Sequence, residues 1–447
     1  MTDRHALTQT FMQPVTARNS GQDTFLQAVE EVAADVLTIE KNNPDYATAK
    51  VLERLTEPDR VISFRVTWVD DAGDVQINRG WRVQTCNAIG PYKGGLRFHP
   101  SVTLSDLKFL GFEQVFKNAL TGLPLGGGKG GADFDPSGRS DGEIMRFCQA
   151  FMTELSRYIG PDMDVPAGDI NVGTREIGYL FGAYKSLKGQ FEGAITGKGM
   201  AFGGSAMRVE ATGYGLIYFI QAMLDHAGDT LSGKRIAISG KGNVATHAAE
   251  KAICEDGIVV TLSDTSGTLI ADDGFSQDAV DWVRTQKQKG ADISDPPAHL
   301  NLSFEKDALP WDQSFDIALP CATQNEIDAN AAHSIINAGA IILAEGANMP
   351  LTADALDKIA QSKITYAPGK ASNAGGVAIS GLEMSQNAHG QFESADAIDQ
   401  NLKKIMQDIH ARAAAEGRED GKINYRRGAN VAAYRKVADA ITAFGVV

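Results

Sequence analysis

The chain has 447 residues, of which 43% are hydrophobic and 22% are charged, and its formal net charge is −14. Such a length exceeds one ordinary hydrophobic core, so we expect two or three domains. The acidic balance argues against a nucleic-acid partner, whose phosphates this surface would repel, but it does not exclude a small acidic substrate. The chain has no apolar run long enough for a signal peptide or a membrane span, and its four cysteines form no C-x-x-C pair. We therefore expect a cytoplasmic protein with buried free thiols, no bound metal and no membrane partner.

The first half of the chain contains both helical and strand patterns. Apolar residues recur at helical spacing over 22–42. The later patterns predict strands at 61–69 and 75–85 and helices at about 104–120 and 142–159. The stretch from 186 to 215 is rich in glycine and weakly periodic, which indicates a domain junction.

From about residue 212 the pattern changes to short apolar strands that alternate with helices. It predicts helices at 212–227 and 244–256 and strands at 235–239, 258–263, 316–319 and 340–344. Such alternation is typical of a parallel, doubly wound sheet. We therefore predict an α/β protein, with one α/β domain over 1–200 and a doubly wound, Rossmann-type domain over 201–424.

A glycine fingerprint opens the second domain. Gly240-x-Gly242-x-x-Ala245 follows a predicted strand and begins a predicted helix, so the backbone can turn tightly and approach a pyrophosphate. Asp264 ends the next strand, where a ribose would lie. An ordinary strand-to-helix turn is the alternative, but the order of strand, helix, strand and Asp264 favours dinucleotide binding. The carboxylate by itself favours NAD over NADP, because it repels a 2′-phosphate.

Three lysines of the first domain stand among glycine or apolar neighbours. They are Lys93 in GPYKGGLRFHP, Lys117 in GFEQVFKN and Lys129 in GLPLGGGKGG. Gln114 precedes Lys117 by one helical turn and shares its face. A phosphate-binding P-loop does not fit, because that pattern needs glycine at Leu123 and Ser or Thr at Gly130. Each lysine alone is more simply explained as a solvated charge, but three in such surroundings indicate a site.

Lys129 has the surroundings of a general acid–base group. The glycines around it leave a predicted loop without side-chain bulk, so a substrate can approach the ammonium group. A lysine desolvated near other cations has a lowered pKa, ~7–8, which suits proton transfer at neutral pH. Asp169, in VPAGDINVG, is an available carboxylate partner, although such a residue can also simply form a turn.

Together the motifs resemble the glutamate dehydrogenase family, in its hexameric bacterial and fungal class of NADP-specific type. The motifs, in the family's order, are GPYKGGLRFHP, LGGGKGG, VPAGDINVG, TGKGMAFGGS, RVEATGYG, LPCATQNEI, AEGANMP and SNAGGVAISGLEM. The resemblance implies that residues 1–200, rejoined by 425–447, bind the substrate and form oligomer contacts. It implies that 201–424 bind the dinucleotide and that the chain assembles as a homohexamer.

The resemblance also implies roles for individual residues. Lys129 would be the catalytic lysine and Asp169 its proton-transfer partner. Lys93 and Ser380 would bind the γ-carboxylate, and Gln114, Lys117 and the backbone of Gly168 would hold the other end of the amino acid. The cofactor-binding residues would be Thr212, Gly240, Gly242, Asn243, Val244, Asp264 and Lys287.

The implied reaction is the reversible oxidative deamination of L-glutamate to 2-oxoglutarate and ammonia. We expect NADP as the cofactor, with NAD as the alternative, because Lys287 (with Arg284 and Lys289 nearby) could neutralise a 2′-phosphate despite Asp264. One alternative is a leucine, valine or phenylalanine dehydrogenase, but uncharged substrates do not need Lys93. The other is a catalytically silent dinucleotide-binding regulator, which has no need of Lys129 and Asp169.

Overall fold

The structure is a computed structural model that describes residues 2–419 and 421–446. The chain divides into two compact units. The first runs to Arg208 and also contains Val377–Ile398 and the C-terminal segment from Asn430. The second contains Val209–Gly376 and Asp399–Ala429.

These boundaries differ from those predicted from the sequence. The first break lies eight residues beyond the predicted position of 200, and 377–398, predicted to belong to the second domain, is part of the first unit. Residues 377–398 are hydrogen-bonded to the loop that ends the first stretch of this unit, before Arg208. In one of these bonds, the Asn387 side chain donates to the carbonyl of Gly203. At the C-terminus, Tyr425 packs on Phe219 of the second unit, so the chain returns to the first unit only at Asn430.

The described N-terminal part of the chain, from Thr2 to Arg208, contains seven helices and five strands. The helices are α1 Thr2–Arg18, α2 Asp23–Asn42, α3 Pro44–Ala49, α4 Val51–Leu55, α5 Leu104–Leu120, α6 Asp141–Leu155 and α7 Thr174–Lys188, with a 3-10 turn at Met200–Phe202. The strands are β1 Arg60–Val69, β2 Val75–Cys86, β3 Tyr92–Phe98, β4 Gly127–Ala132 and β5 Asp164–Gly168. The predicted helices at 22–42 and 104–120 are confirmed, while α6 ends four residues before the predicted 159.

The strands of the first unit form one mixed sheet in the order β1-β2-β4-β3-β5. Strand β2 pairs antiparallel with both β1 and β4, whereas β3 is parallel to β4 and β5. Helix α5 begins at a capping box in which Thr103 and Asp106 exchange hydrogen bonds, and it packs against β4. The elements that carry the lysines are therefore adjacent.

Strand β4 corrects a prediction, since its sequence GGKGGA was expected to form a loop. Glycine disfavours a strand interior, but this strand is central and is hydrogen-bonded on both sides. Its neighbours approach so closely that a Cβ on Gly127 would stand 2.3 Å from Val115 Cγ2 on α5. Close packing and strand pairing therefore outweigh local propensity here.

The rest of the chain contains nine helices and nine strands in its described part. The helices are α8 Ala211–Ala227, α9 Asn243–Cys254, α10 Gln277–Lys289, α11 Ala329–Asn337, α12 Ala353–Ala360, α13 Gly369–Ser372, α14 Gly375–His389, α15 Ala395–Glu416 and α16 Tyr425–Phe444. The strands are β6 Arg235–Ile238, β7 Ile258–Asp264, β8 Gly267–Ile270, β9 Ser303–Lys306, β10 Ile317–Leu319, β11 Ile342–Ala344, β12 Thr365–Ala367, β13 Arg418–Glu419 and β14 Lys422–Ile423. A 3-10 turn lies at Ala298–Leu300.

The second unit is built on a seven-stranded sheet in the order β12-β11-β10-β6-β7-β8-β9. Strands β12 to β7 run parallel, as predicted for a doubly wound domain, and a buried cluster that includes Trp311 and Phe315 packs against this sheet. Strands β8 and β9 are antiparallel and were not predicted. The short apolar strands of the sequence thus form the centre of this sheet, as their burial on both faces requires.

Three further expectations can be compared with the described residues. Cys86, Cys148 and Cys321 are buried, but Cys254, at the end of α9, is exposed, so the prediction of buried thiols was wrong for that residue. In residues 2–419 and 421–446, no helix is long and apolar enough to cross a membrane. The same residues contain no cluster of three His, Cys, Asp or Glu side chains arranged to hold a metal ion.

Candidate active site

The first unit brings together the predicted catalytic residues. Lys129 lies on β4, and Asp169 follows β5 directly. Lys129 Nζ is 3.1 Å from Asp169 Oδ1, and Arg97 Nε donates to Asp169 Oδ2 at 2.8 Å. The carboxylate therefore has one cation on each oxygen atom, although its side chain is 18% exposed and so remains accessible.

Burial and charge shift the pKa values of this pair in opposite ways. Burial lowers the pKa of Lys129, and the neighbouring Asp169 carboxylate only partly restores it. Burial would raise the pKa of Asp169, but the charges of Lys129 and Arg97 outweigh it and hold that pKa below its usual range. The pair is thus an ammonium group ready to release a proton beside a carboxylate that is fully ionised.

Lys93, on β3, is almost completely buried, with 1% of its surface exposed. Its Nζ donates to Thr196 Oγ1 at 2.8 Å, and Thr196 Oγ1 lies 3.1 Å from Ser380 Oγ. Among the described residues no carboxylate lies within ion-pair distance of this ammonium group, and burial holds its pKa well below the usual value. A buried cation beside two hydroxyl groups is suited to binding an anion.

A buried ion pair holds the two hydroxyl groups in place. Lys198 Nζ is 2.7 Å from Glu383 Oε1, and both side chains are completely buried. Glu383 Oε2 also accepts from the backbone amide of Gly197 at 2.9 Å. Because Lys198 follows Thr196 in the loop and Glu383 follows Ser380 on α14, this pair ties the loop and the helix together.

Helix α5 places Gln114 and Lys117 beside these strands. Gln114 Cγ lies 3.3 Å from where a Cβ on Gly94 of β3 would stand, and its amide donates to Asn118 Oδ1 at 2.7 Å. Asn118 in turn donates to the carbonyl of Lys93 at 3.1 Å. Gln114 and Lys117 are both half-buried, one turn apart on the same helix. Gly168, at the end of β5, directly precedes Asp169.

The residue-by-residue prediction missed three side chains of this site: Arg97, Thr196 and Arg208. Each lies inside a motif that was recognised from the sequence, so a charged or hydroxyl side chain within such a motif could have been predicted to belong to the site. Arg208 Nε is buried, and no hydrogen-bond partner for it exists among the described residues. Burial lowers the pKa of Arg208, while Glu383 and Asp169 act in the opposite direction. The site is therefore more cationic than three lysines suggested.

The second unit contains the predicted glycine turn. Gly240 follows β6 with a φ of +89°, and Gly242 is the N-cap of α9 without any side-chain cap. The first amide groups of α9, beginning at Asn243 and Val244, are therefore available to an anion. Gly213 allows α8, whose first turn carries Thr212, to approach α9, since a Cβ there would stand 2.5 Å from Ala248 N. These features fit a dinucleotide pyrophosphate.

Asp264 ends β7, as predicted, but its carboxylate already has partners. Oδ2 lies 2.6 Å from Lys241 Nζ, and Oδ1 accepts from the backbone amide of Ser266 at 2.8 Å. Lys287, on α10, has its Nζ 3.8 Å from where a Cβ on Gly242 would stand. Arg284, expected to assist Lys287, is instead held at 2.9 Å by Glu250 and by Asp281.

Two family models match the chain. "Glutamate/Leucine/Phenylalanine/Valine dehydrogenase" matches residues 203–445, and "Glu/Leu/Phe/Val dehydrogenase, dimerisation domain" matches residues 58–186. The chain is 52% identical to an NADP-specific glutamate dehydrogenase of Psychrobacter sp. (strain TAD1), over 98% of each chain. It is 53% identical to an NAD-specific glutamate dehydrogenase of Bacteroides fragilis (strain YCH46), over 98% of this chain and 99% of that one.

Among solved structures, the glutamate dehydrogenase of Plasmodium falciparum is similar to this chain, with a TM-score of 0.96 and 44% identity. The match covers 99% of this chain and 96% of that one.

Proposed function

The chain belongs to the glutamate/leucine/phenylalanine/valine dehydrogenase family, and from this premise we propose that it catalyses the reversible oxidative deamination of L-glutamate with NADP. The products are 2-oxoglutarate and ammonia. Relatives with about half of their residues identical over nearly the whole chain are glutamate dehydrogenases, which supports this substrate.

The burial of Lys93 is the observation that favours glutamate over the other substrates of the family. Lys93 is 1% exposed, and among the described residues its ammonium group has only the Thr196 hydroxyl as a hydrogen-bond partner, so it needs an anion to compensate its charge. The γ-carboxylate of glutamate is such an anion, and Ser380 adds a hydroxyl donor beside it. Leucine, valine and phenylalanine would leave the cation unpaired, which costs free energy.

The other end of the substrate binds near α5. Gln114 and Lys117 supply an amide and an ammonium group for the α-carboxylate, and the backbone at Gly168 lies next to Asp169. Holding both carboxylates orients the Cα atom and its amino group with respect to Lys129. One ammonium group for each carboxylate, Lys93 at one end and Lys117 at the other, favours dicarboxylate substrates of one length.

Lys129 and Asp169 handle the protons of the reaction. When bound, NADP supplies the acceptor for the hydride that leaves Cα. Lys129, whose pKa is lowered by burial, takes a proton from the water molecule that attacks the resulting imine, and its ammonium form stabilises the carbinolamine. The ionised Asp169 carboxylate accepts the proton that Lys129 took from the water molecule and passes it to the departing ammonia, and Arg97 holds this carboxylate in position.

The glycine turn between β6 and α9 holds the pyrophosphate of the cofactor, through the amides of Asn243 and Val244. Thr212 contributes from the first turn of α8. Lys287 lies near Gly242, where a cation can reach a 2′-phosphate. The NADP-specific relatives support NADP as the cofactor, and an NAD-specific relative of similar identity agrees with NAD as the alternative.

A homohexamer is the expected assembly. The first unit is matched by a dimerisation-domain model, which supports self-association. Its edge strand β1 and the adjacent β2 also expose large apolar side chains, which a partner subunit would cover: Val61, Val69, Val75 and Ile77.

The absorbance of reduced nicotinamide dinucleotide tests the function directly. Purified protein is mixed with ammonium, NADPH or NADH, and one 2-oxo acid: 2-oxoglutarate, 2-oxoisocaproate or phenylpyruvate. We expect rapid oxidation only with 2-oxoglutarate, and faster with NADPH than with NADH. Faster turnover of 2-oxoisocaproate or phenylpyruvate would identify a neutral amino acid as the substrate. No turnover with any acid would favour a silent regulator.

A further inference from the structure

The ion pair between Lys241 and Asp264 lies where cofactor specificity is expected to be decided. Lys241 is the residue between Gly240 and Gly242, so it projects from the glycine turn itself. Its Nζ lies 2.6 Å from Asp264 Oδ2 and also donates to the carbonyl of Ala291 at 2.7 Å. Since the Asp264 side chain is only 4% exposed, this contact is largely shielded from water.

We propose that Lys241 is a specificity-determining residue. It lets the site accept a 2′-phosphate, because it neutralises the charge of the Asp264 carboxylate and occupies its Oδ2 atom. This inference rests on the proposed function, because it concerns which dinucleotide serves the same reaction. Neither the sequence motifs nor the family match assigns a role to Lys241.

The hydrogen bonds of Asp264 give the first reason. A carboxylate at this position selects NAD when its oxygen atoms are free to accept hydrogen bonds from the ribose hydroxyls. Here Oδ2 binds Lys241, and Oδ1 binds both the amide and the hydroxyl of Ser266. Asp264 therefore has little remaining capacity to bind a ribose diol.

The balance of charge gives the second reason. Four charged groups lie near the expected ribose position: the carboxylates Asp264 and Asp292 and the ammonium groups Lys241 and Lys287. Asp292 binds the amide and hydroxyl of Ser294 and interacts with both Asp264 and Lys241. With Lys241 present the four charges cancel. Without it, one negative charge is left in excess, which would repel a phosphate dianion.

The decisive variant is Lys241→Met, which keeps the length of the side chain and removes its charge. Lys234→Met is the matched control, because Lys234 also pairs with an aspartate, Asp229, at 2.8 Å and is similarly exposed (23% against 21% for Lys241). Lys234 precedes β6, at the opposite end of that strand from the glycine turn. The Lys234→Met substitution should therefore not change the preference between NADP and NAD.

Binding is measured without catalysis, by calorimetric titration with 2′,5′-ADP and 5′-AMP and by fluorescence titration with NADPH and NADH. Because Lys241→Met leaves one uncompensated negative charge near the 2′-phosphate, it should weaken the binding of 2′,5′-ADP and NADPH about 10- to 100-fold. Binding of 5′-AMP and NADH should be unchanged or tighter, because Asp264 Oδ2 becomes free. Lys234→Met should bind all four ligands like the wild type.

Asp264→Asn provides a test with the opposite sign. It removes the repulsive charge and leaves Lys241 free, so 2′,5′-ADP should bind at least as tightly as to the wild type. The double variant Lys241→Met, Asp264→Asn should recover part of the affinity lost in Lys241→Met alone. If Lys241→Met does not fold, Lys241→Gln gives the same comparison.

Equal weakening of 2′,5′-ADP and 5′-AMP in Lys241→Met, or no change in either, would overturn the inference. So would a loss of 2′,5′-ADP binding in Asp264→Asn. Failure of the proposed function is a separate result: the wild type would bind 2′,5′-ADP in preference to 5′-AMP, and this preference would depend on Lys241, yet no 2-oxo acid would be turned over. That result would support the inference while refuting the assigned reaction.

Discussion

Replacing Lys93 by leucine should change the substrate preference of the enzyme, because we propose that this side chain determines whether a charged or an apolar substrate is favoured. Lys93 is 1% exposed, and its ammonium group donates to the Thr196 hydroxyl at 2.8 Å. Its loss would remove the proposed charge-assisted contact to the γ-carboxylate, worth roughly 1.5–3 kcal/mol, so kcat/KM for glutamate should fall about 10- to 100-fold. Leucine fills most of the same volume, so no large cavity is left.

The same substitution should raise activity toward norvaline relative to glutamate. The buried ammonium penalises an apolar side chain, and removing it also removes this penalty. The two kcat/KM values, measured with NADP under the same conditions, should therefore move in opposite directions or at least diverge. An equal fall for glutamate and norvaline would mean that Lys93 does not bind the γ-carboxylate.

A control variant separates this effect from damage to the fold. Lys108 is another buried lysine of the first unit; it lies on α5, donates to Asn19 and stacks on Phe25. Lys108→Leu should lower thermal stability and leave the ratio of glutamate to norvaline activity unchanged. If it changed the ratio as much as Lys93→Leu, the selectivity would not be specific to Lys93.

The state of Lys93 gives an independent readout. Burial lowers the pKa of its ammonium group in the free protein, and a bound carboxylate would raise it again. At a pH above the lowered value, 2-oxoglutarate binding should therefore be accompanied by proton uptake. Calorimetry in buffers of different ionisation enthalpy measures this uptake, which should disappear in Lys93→Leu.

Three further predictions concern catalysis and assembly. Lys129→Ala and Asp169→Asn should each lower kcat by about 10²–10⁴-fold while cofactor binding persists, and a variant that kept a tenth of the activity would contradict its role. Arg97→Gln should raise the pKa of Asp169, because one of the cations that lower it is lost. Since the ionised form is lost as the pH falls, the acid limb of the kcat/KM profile should move to higher pH. In light scattering we expect six times the mass of one chain, and a monomer at micromolar concentration would refute the hexamer.

Much of the second unit could be predicted from local sequence. The short apolar strands, the glycine turn at Gly240 and the position of Asp264 follow from hydrophobic periodicity and from the backbone freedom that a tight turn needs. These features depend on residues close together in the chain, so the sequence contains the relevant information directly. The ion pair between Lys241 and Asp264 could not be predicted in this way, because it depends on the spatial approach of β6 and β7.

The sequence by itself identified the family, and it predicted Lys93, Lys129 and Asp169 as residues of the site. Only the tertiary structure decided that Lys129 lies on a central strand, since a run of glycines has no strand preference until neighbouring strands and α5 pack against it. It also decided that Ser380 belongs with Thr196, although 184 residues separate them, and that Arg97 shares Asp169 with Lys129. Such contacts are set by the way the chain folds back on itself, and no periodicity along the sequence encodes them.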